Sequence, residues 1–514
     1  DSMVNHYTAT KRLRSDDAYT AGGKAGARPD YPTLVYTRIL KELYPSTPVI
    51  LGGIEASLRR VTHYDYWQDR LRPSFLIESG ADAIVYGMGE KPMVEITRAI
   101  ERGEDWRGLK QVVYLSDNII DGALVMNSYE ECLRDKKKFG ENFVILERES
   151  NKMHAVTLVE PYGDRYLVVN PPHPYLTQSE LDSSFDLPYT RLPHPRYKDK
   201  LISAYEMIKF SVNIHRGCFG GCSFCTISAH QGKHISSRSE RSVLTEVKAI
   251  TKLPNFKGNL SDVGGPSANM WQMRGRDLSK CEKCQRPSCI YPSNCPNLNN
   301  DHVPLLKLYD KIEKVEGVKR FYIGSGIRYD MFDRHSNYLE RVITRHVSGR
   351  FKVAPEHTED RILTLMRKPS FGLFEQLTRT VAAICQRNSM RNQIVPYFIS
   401  SHPGCTLEDM KRLSARIKKL DSSVHIESVQ DFTPTPMTLS SAMYYIGENP
   451  YTGEKLYIER ERDRKNQQKE CFYTKKSSGA LPYRRGHSGS ADKGSKGRHT
   501  SSRSDSFKRQ SKKK

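Results

Sequence analysis

Six strand-like segments, most of them followed by helix-like sequence, run in order between residues 207 and 440 and limit the folds open to this chain. Alternation of this kind predicts a parallel barrel, or part of one, with its chemistry at the C-terminal ends of the strands. The strand candidates are the apolar runs 210–214, 260–263, 320–323, 351–354, 393–399 and 424–429. The helical patterns lie at 238–252, 303–313, 338–347, 359–367, 371–387 and 407–420.

The rest of the chain divides by composition. Before residue 160, helix-like and strand-like pieces alternate in the way typical of an open parallel α/β sheet. The chain opens at Asp1 rather than Met, which suggests a piece of a longer protein. We predict an α/β protein with an open, Rossmann-like domain at 1–160, a Pro-rich linker at 161–205, a partial (βα)6 TIM-like barrel at 206–440 with a Cys-rich insertion at 278–302, a C-terminal extension at 441–470 and a disordered basic tail at 471–514.

The net charge of +22 is concentrated in the tail. Residues 473–514 hold 13 Lys and Arg against two Asp, a net of +11. Such a tail could contact RNA or another polyanion through its phosphates, although a solvated, non-specific tail is the more common case. The sequence has neither a signal peptide nor an apolar membrane span, so we expect a soluble, cytoplasmic protein without membrane contact.

Three cysteines directly follow the first strand candidate, in the pattern Cys218-x3-Cys222-x2-Cys225. Their position places them at the predicted catalytic end of the barrel. Three thiolates are one fewer than the four irons of a [4Fe-4S] cluster require. The open iron could then bind the amino and carboxylate groups of S-adenosylmethionine (SAM) and pass an electron to its sulfonium. The alternatives are buried thiols or a zinc site, but zinc usually recruits a fourth protein ligand.

A three-cysteine loop on a six-unit βα barrel resembles the radical SAM superfamily, and the flanking sequence is similar to its YgiQ family. The resemblance implies reductive cleavage of SAM at a [4Fe-4S] cluster, fed by an electron donor such as flavodoxin or ferredoxin. It does not supply the substrate. The residues that carry it are 51–60 (LGGIEASLRR), 64–67 (YDYW), 215–225 (HRGCFGGCSFC), 353–360 (VAPEHTED) and 432–436 (FTPTP).

The resemblance also implies contacts to SAM beyond the cluster. Superfamily members usually carry a Gly-Gly-Glu turn after the second strand, and here Gly264 and Gly265 occupy that place with Pro in place of Glu. Ser325 and Arg328 follow the third strand candidate, and Glu356 follows the fourth. An Arg there can pair with the SAM carboxylate, and a Glu can accept hydrogen bonds from ribose hydroxyls. The alternative for these residues is a ligand-free turn and a salt-bridged barrel wall.

A second group of cysteines, Cys281, Cys284, Cys289 and Cys295, lies in the Pro-rich insertion after the second strand candidate. Four cysteines within 15 residues can form a zinc site or an auxiliary Fe–S cluster, and either metal would help to fold the insertion. The choice between the two metals stays open. The alternative is a set of free or redox-active thiols.

The leading hypothesis for function is therefore a radical SAM enzyme that makes a 5′-deoxyadenosyl radical and acts on an unidentified substrate. A non-catalytic iron–sulfur or zinc protein that binds RNA through its tail is the alternative. The Gly-Gly and Gly-x-Gly turns of the first domain resemble those of cobalamin-binding domains, but the Asp-x-His-x-x-Gly loop that reaches cobalt is absent from this sequence. That loop could lie before Asp1, so the sequence leaves a cobalamin open, and the favoured interpretation is an open α/β domain that packs on the barrel and helps to cover its mouth.

Overall fold

The computed structural model describes residues 2–332, 337–420, 424–427 and 429–472. One compact unit runs from the start of the chain to Tyr473. Nearly all of the predicted disordered tail lies outside the described residues, so its disorder stays a prediction.

The N-terminal half forms a mixed sheet. Six strands pair in the order β1-β4-β5-β8-β7-β6, and β2 with β3 forms a separate hairpin. The pairs β1–β4 and β6–β7 are parallel, whereas β4–β5, β5–β8 and β7–β8 are antiparallel. The expectation of a parallel sheet is therefore wrong. The strands are β1 (Ile50–Leu51), β2 (His63–Asp65), β3 (Arg70–Arg72), β4 (Ala83–Val85), β5 (Val112–Ser116), β6 (Leu124–Val125), β7 (Leu158–Tyr162) and β8 (Arg165–Val169).

The linker is shorter than the composition suggested. Strand β7 runs from residue 158 to 162 and β8 from 165 to 169, so both extend into the predicted linker, yet both belong to the N-terminal sheet. They form a hairpin closed by the two residues between Tyr162 and Arg165, of which Gly163 has a positive φ of 58°. A two-residue Gly-Asp turn is a hairpin signal that the high Pro and Tyr content obscured. The connection to the second half therefore begins after Val169.

Helices cover the N-terminal sheet and lead into the second half. The helix Glu90–Arg102 is followed directly by Gly103. The φ of Gly103 is 69°, the left-handed conformation that is common just after the last residue of a helix. The helices are α1 (Ser2–His6), α2 (Pro32–Leu43), α3 (Gly53–Ser57), α4 (Phe75–Ser79), α5 (Glu90–Arg102), α6 (Tyr129–Arg134), α7 (Lys136–Ser150), α8 (Gln178–Phe185) and α9 (Ser203–Ile208).

Five of the six strands predicted in the second half are present at the predicted places. The pairs β9–β13, β12–β16, β17–β18 and β18–β19 are parallel. The second predicted strand is split into β12 and β13, and the sixth is displaced to Val429–Asp431, with Val424 making only an isolated bridge to Ile394. The strands are β9 (Ser211–Asn213), β10 (His215–Arg216), β11 (Ser236–Ser237), β12 (Asn259–Leu260), β13 (Asp262–Gly264), β14 (Arg274–Gly275), β15 (Leu298–Asn299), β16 (Arg320–Phe321), β17 (Arg350–Glu356), β18 (Gln393–Ser400) and β19 (Val429–Asp431).

The helices of the second half follow these strands closely. Thr406 and Asp409 form a capping box at the start of the helix Leu407–Ile417, with both reciprocal hydrogen bonds present. The helix predicted at 338–347 is α-helical only to Arg341 and continues as a π-helix, Val342–His346. The helices are α10 (Ile227–Gln231), α11 (Glu240–Thr251), α12 (Leu278–Glu282), α13 (Val303–Glu313), α14 (Tyr338–Arg341), α15 (Asp360–Met366), α16 (Phe371–Arg387), α17 (Leu407–Ile417), α18 (Leu439–Ile446) and α19 (Arg462–Glu470).

The largest apolar core lies between the strands and helices of the second half. Each of its parallel-paired strands contributes inward side chains, such as Val212 from β9, Val263 from β13 and Phe398 from β18. The N-terminal sheet has a separate core around Ile84 and Val113. In the part of the chain described here, no helix is both long enough and apolar enough to cross a bilayer.

Replacing Phe398 by Ala tests this core. The side chain is fully buried, so the change should lower the free energy of unfolding by about 3–5 kcal/mol through lost contacts and a cavity. Urea unfolding followed by circular dichroism measures the loss. Tyr36→Ala, at a side chain that is 51% exposed, is the control and should change stability by less than about 0.5 kcal/mol. A loss for Phe398→Ala as small as that of the control would contradict the packing described.

Candidate cluster-binding site

The loop that carries the first three cysteines is closed at its base by backbone pairing. His215 and Arg216 of β10 pair antiparallel with Ser236 and Ser237 of β11, so the residues between them form one loop beyond β9. Two glycines make the loop compact. A Cβ on Gly217 would lie 2.0 Å from the His234 carbonyl oxygen, and one on Gly221 would lie 2.3 Å from the carbonyl oxygen of Pro287 in the Cys-rich insertion.

Both glycines also have positive φ angles, 87° at Gly217 and 55° at Gly221. Glycine adopts this conformation without steric cost. In the structure, these two allow the loop to pack against protein backbone on both sides.

The three thiols lie within electrostatic reach of one another. Cys218 is buried, and Cys222 and Cys225 are half-buried. Burial, followed by the neighbouring Cys222 and Cys218 thiols, raises the pKa of Cys225 to about 12. Burial also raises the pKa of Cys218, while the Arg328 guanidinium acts in the opposite direction. The cation thus favours the thiolate form, which is the form that binds metal.

The donor set fits a cluster. Cys218, Cys222 and Cys225 supply three thiols, and the Arg328 guanidinium lies beside them. The thiolates of a cubane bind different irons, so they surround the cluster instead of converging on a point. Three mutually close thiols, with a guanidinium to offset their charge, therefore fit a [4Fe-4S] cluster.

Four buried charges stand beside the thiols. Arg328 Nη1 lies 3.2 Å from Cys222 Sγ, and its Nε donates to Asp330 at 2.9 Å. Glu356 pairs with Lys368 at 3.6 Å. Burial opposes the charge on Asp330, but Arg328 holds the pKa of that carboxyl below its usual range. Burial raises the pKa of Glu356, with Lys368 and Arg328 acting against it.

An irregularity in β17 directs Glu356 to this place. The register of β17 on β18 shifts between Val353 and Glu356, and Glu356 has a φ of 67°. A positive φ is uncommon for a residue with a side chain, and such strain is concentrated at functional sites. Bulges of this kind re-aim side chains near active sites. The strand-end position predicted for Glu356 is therefore found, with a backbone conformation that the sequence did not reveal.

The Gly-Gly turn packs against a histidine. A Cβ on Gly265 would lie 2.5 Å from the His215 ring, which is fully buried. Burial lowers the pKa of His215 to about 3, so the ring is neutral. Gly264 ends β13, where it pairs with Asn213 at the start of the cysteine loop. The turn thus lies beside the loop, as predicted, and His215 is a neighbour that the sequence analysis did not assign.

Ser325 is bonded inside the protein. Its hydroxyl donates to the Asp262 carboxylate, which also accepts from the backbone N–H of Gly324 at 2.8 Å. Asp262 therefore holds the segment after β16 against β13. This arrangement matches the wall residue that the sequence analysis gave as the alternative for Ser325.

A small cavity of about 40 Å³ borders Cys222 and Cys225. Its other walls come from α7, through Phe143 and Leu146, and from the residues that precede α18. The N-terminal half therefore takes part in covering the thiols. Ser223 is tied to α18 by a 2.8 Å hydrogen bond to Ser440.

The second cysteine group packs against the first loop. The backbone N–H of Cys289 donates to the Phe219 carbonyl at 3.0 Å, and Ile290 and Leu298 share a buried core with Phe219. Lys233 Nζ lies 3.6 Å from Cys284 Sγ. Burial, followed by the neighbouring thiols of the group, raises the pKa of Cys281 and of Cys289. Among the described residues, the four thiols are not gathered at a single point. The structure thus leaves open both metals that the sequence allowed.

The structure brings the three cysteines, Arg328 and Glu356 near one another, where their charges interact, and their roles toward SAM stay predictions. The sequence reasoning missed the partners of these residues. Asn269 clamps the Arg328 backbone through two hydrogen bonds of 2.9 and 3.0 Å. Asp330 follows Arg328 by two residues, and this spacing could have indicated their ion pair. Nothing in the sequence indicated that Lys368 would pair with Glu356.

Comparison with known proteins adds family evidence. The family described as "Radical SAM N-terminal" matches residues 1–211, and a domain of unknown function, DUF3362, matches residues 427–479. A UPF0313 protein of Porphyromonas gingivalis is 54% identical over 503 residues, covering 94% of this chain and 79% of the relative. One from Bacteroides thetaiotaomicron is 53% identical over 506 residues, covering 92% and 80%.

A solved structure is similar at a lower level. The radical SAM methyltransferase TsrM from Kitasatospora setae, bound to tryptophan and a SAM analogue, is 16% identical with a TM-score of 0.44. The match covers 83% of this chain and 63% of TsrM. A likeness at this level carries no argument about cofactors or substrate.

The contact between Gly265 and His215 is testable. Gly265→Ala should lower the free energy of unfolding by about 1–3 kcal/mol, because the new methyl group overlaps the imidazole. His215→Ala in the same chain should recover about 1 kcal/mol of that loss by removing the ring. Thermal and urea unfolding give both values.

Gly326→Ala is the matched control, since a Cβ there meets no atom within 4 Å. It should change stability by less than about 0.5 kcal/mol. Equal effects of the two Gly→Ala changes would show that Gly265 does not approach the ring as described.

Proposed function

The chain belongs to the UPF0313 family and to the radical SAM superfamily, and from this premise we propose that it cleaves SAM reductively with a [4Fe-4S] cluster held by Cys218, Cys222 and Cys225. When bound, the cluster supplies an electron for cleavage to methionine and a 5′-deoxyadenosyl radical. The radical abstracts hydrogen from a substrate of unassigned identity. The observation that carries this proposal is a loop with three electrostatically coupled thiols, one fewer than four irons require.

The residues around the thiols have distinct proposed roles. Arg328 lowers the electrostatic cost of gathering thiolates, because its guanidinium lies beside Cys222 and Asp330 keeps it in place. Because the Arg328 guanidinium already pairs with Asp330, we propose that it stabilises the thiolates and not the SAM carboxylate. Glu356 is the proposed acceptor for the ribose hydroxyls, and the backbone of Gly264 and Gly265 faces the methionine end of SAM. Ser325 holds the wall of the site.

The parallel strand pairs of the second half support the finer fold proposal. Strands β12 and β13 are the two pieces of the second predicted strand, and they link the pair β12–β16 to the pair β9–β13. Strands β17, β18 and β19 form a separate three-stranded sheet. We propose that they make up a partial (βα)6 barrel at 206–440, preceded by an open α/β domain and followed by an extension at 441–470. Cytoplasmic location and an electron donor of the flavodoxin or ferredoxin class complete the proposal.

The alternative function, RNA binding by a non-catalytic protein, depends on the basic tail. That segment lies outside the described residues. The buried thiols, by contrast, are placed among strand ends and charged side chains, where enzymes collect reacting groups. We therefore retain the enzyme as the proposal.

The insertion with Cys281, Cys284, Cys289 and Cys295 is proposed to hold a second metal, zinc or an auxiliary Fe–S cluster. Two observations support this proposal. The thiols of the group interact electrostatically, and the Lys233 ammonium offsets negative charge at Cys284 and Cys289. A metal there would hold the insertion against Phe219 and so stabilise the first loop from behind.

Removing the first cysteines tests the cluster. Cys218→Ala, Cys222→Ala and Cys225→Ala should each abolish formation of 5′-deoxyadenosine, because each thiolate binds a different iron. The measurement is product analysis after anaerobic reconstitution and reduction. Cys471→Ala, a half-buried thiol at the end of α19, is the control and should keep the parent rate. A triple variant active at that rate would refute the assignment.

The second group is tested by its metal content. The double variant Cys281→Ala/Cys284→Ala should lose one complement of zinc or iron, while the absorbance of the first cluster persists. Elemental analysis together with the visible spectrum separates the two sites. The double variant should also unfold at lower temperature, since the metal would contribute to folding. Unchanged metal content would make these residues ordinary thiols.

A further inference from the structure

A cavity of about 100 Å³ lies between the N-terminal sheet and the loop that follows the first cysteines. One wall is formed by Tyr86, Gly87 and Met88, which follow the carboxyl end of β4, and the other by residues between 228 and 236. A Cβ on Gly87 would lie 3.2 Å from the carbonyl oxygen of His230, so the two walls nearly touch at its edge. The carboxyl ends of parallel strands are a common place for ligands in α/β folds.

Arg60 lines this cavity as a buried cation without an acidic partner. It is only 2% exposed, its Nη1 donates to the Ser57 carbonyl at 2.7 Å, and its Nε has no hydrogen-bond partner. The Tyr86 ring lies 4.4 Å from the guanidinium carbon. No carboxylate of the described residues pairs with it, and burial lowers its pKa with only Tyr86 acting against the shift. An isolated buried charge is strongly unfavourable unless a counterion joins it.

The acids near the cavity already have partners. Glu90 pairs with Arg216, and Glu95 pairs with His173 at 2.9 Å. Glu149 pairs with Lys152 at 2.5 Å. The cations Arg216 and Lys152 line the cavity as well. The lining is thus positive overall, and Arg60 is the member whose charge the described part of the protein leaves unbalanced.

Two histidines on the opposite wall have free hydrogen-bonding atoms. His230 Nδ1 and His234 Nε2 are buried and make no hydrogen bond in the described chain. Burial lowers the pKa of both rings to about 4, and the nearby Arg60 and Arg216 contribute at His230. Both rings are therefore neutral at pH 7, where each can donate one hydrogen bond.

We propose that this cavity binds a small molecule through an anionic group, a phosphate or a carboxylate, with Arg60 as its counterion and His230 and His234 as hydrogen-bond donors. A guanidinium offers the paired donors that such anions accept. The cavity volume of about 100 Å³ is roughly that of three water molecules, since one water in the liquid takes up about 30 Å³. The cavity therefore has room for the anionic group alone. The rest of the ligand would extend beyond it. This inference does not depend on the cluster chemistry, because binding is measurable without SAM cleavage.

The test compares the stability of the full chain in different anions at constant ionic strength. Replacing chloride by inorganic phosphate, and in a second arm by acetate, should raise the melting temperature by several degrees in at least one arm. The responding arm distinguishes phosphate from carboxylate. Arg60→Met keeps the length of the side chain and removes its charge, and it should lose the response. By calorimetry, phosphate or acetate affinity should fall at least about tenfold, as expected for loss of a charged hydrogen bond.

Arg107→Met is the matched control. It removes the same charge from an exposed residue that pairs with Asp105, and it should keep the full response. Without anion, Arg60→Met should melt at or above the temperature of the parent, because a buried uncompensated charge is gone. An undiminished response in Arg60→Met, or no response of the parent to either anion, would overturn the proposal.

A second variant covers the case in which Arg60→Met fails to fold. His230→Phe keeps a ring of similar size and removes the donor at the opposite wall. It should weaken anion binding several-fold while the parent fold is retained. Equal anion affinity of His230→Phe and the parent would likewise contradict the site.

Discussion

The environment of the first cysteines depends on one buried guanidinium. Arg328 lies between the Cys222 thiol and the Asp330 carboxylate, and Asn269 holds its backbone on both sides. Although burial opposes its charge, Asp330 and the thiols of Cys222 and Cys218 keep the pKa of Arg328 well above its ordinary value. Without this cation, thiolates and buried carboxylates would face one another with less compensation. Lys368 pairs with Glu356 and so provides a second, weaker compensation of the buried negative charge.

This electrostatic arrangement requires close packing of three chain segments that are distant in sequence. The cysteine loop packs against the Cys-rich insertion through Phe219 and Ile290, with Met331 in the same core. The N-terminal half approaches from another side, where Arg367 forms a two-fold ion pair with Glu147 of α7 at 2.7 and 2.9 Å. The loop is thus enclosed by parts of the fold that the strand–helix repeat does not include.

Two cavities between the halves differ in the charge of their lining. Beside Cys222 and Cys225, the cavity is small, and apolar side chains such as Phe143 lie next to polar ones such as Asn151. Beside Arg60, the lining is positive, as suits an anion. Both places border the same stretch of loop, since Ser228 and Ala229 line both cavities. A ligand held at Arg60 would therefore lie next to the residues that directly follow Cys225.

The sequence by itself determined five of the six strands of the second half, most of their helices and the three-cysteine loop, because apolar periodicity and ligand spacing are local properties. It also directed attention to Arg328 and Glu356, since both lie at or after the ends of predicted strands. The mixed pairing of the N-terminal sheet and the bulge at Glu356 were decided by tertiary structure. So were the contact of Gly265 with His215 and the unbalanced charge of Arg60. Each of these features depends on which distant segments pair or pack together, and on how far that packing removes side chains from water. The periodicity of a sequence carries no information about either.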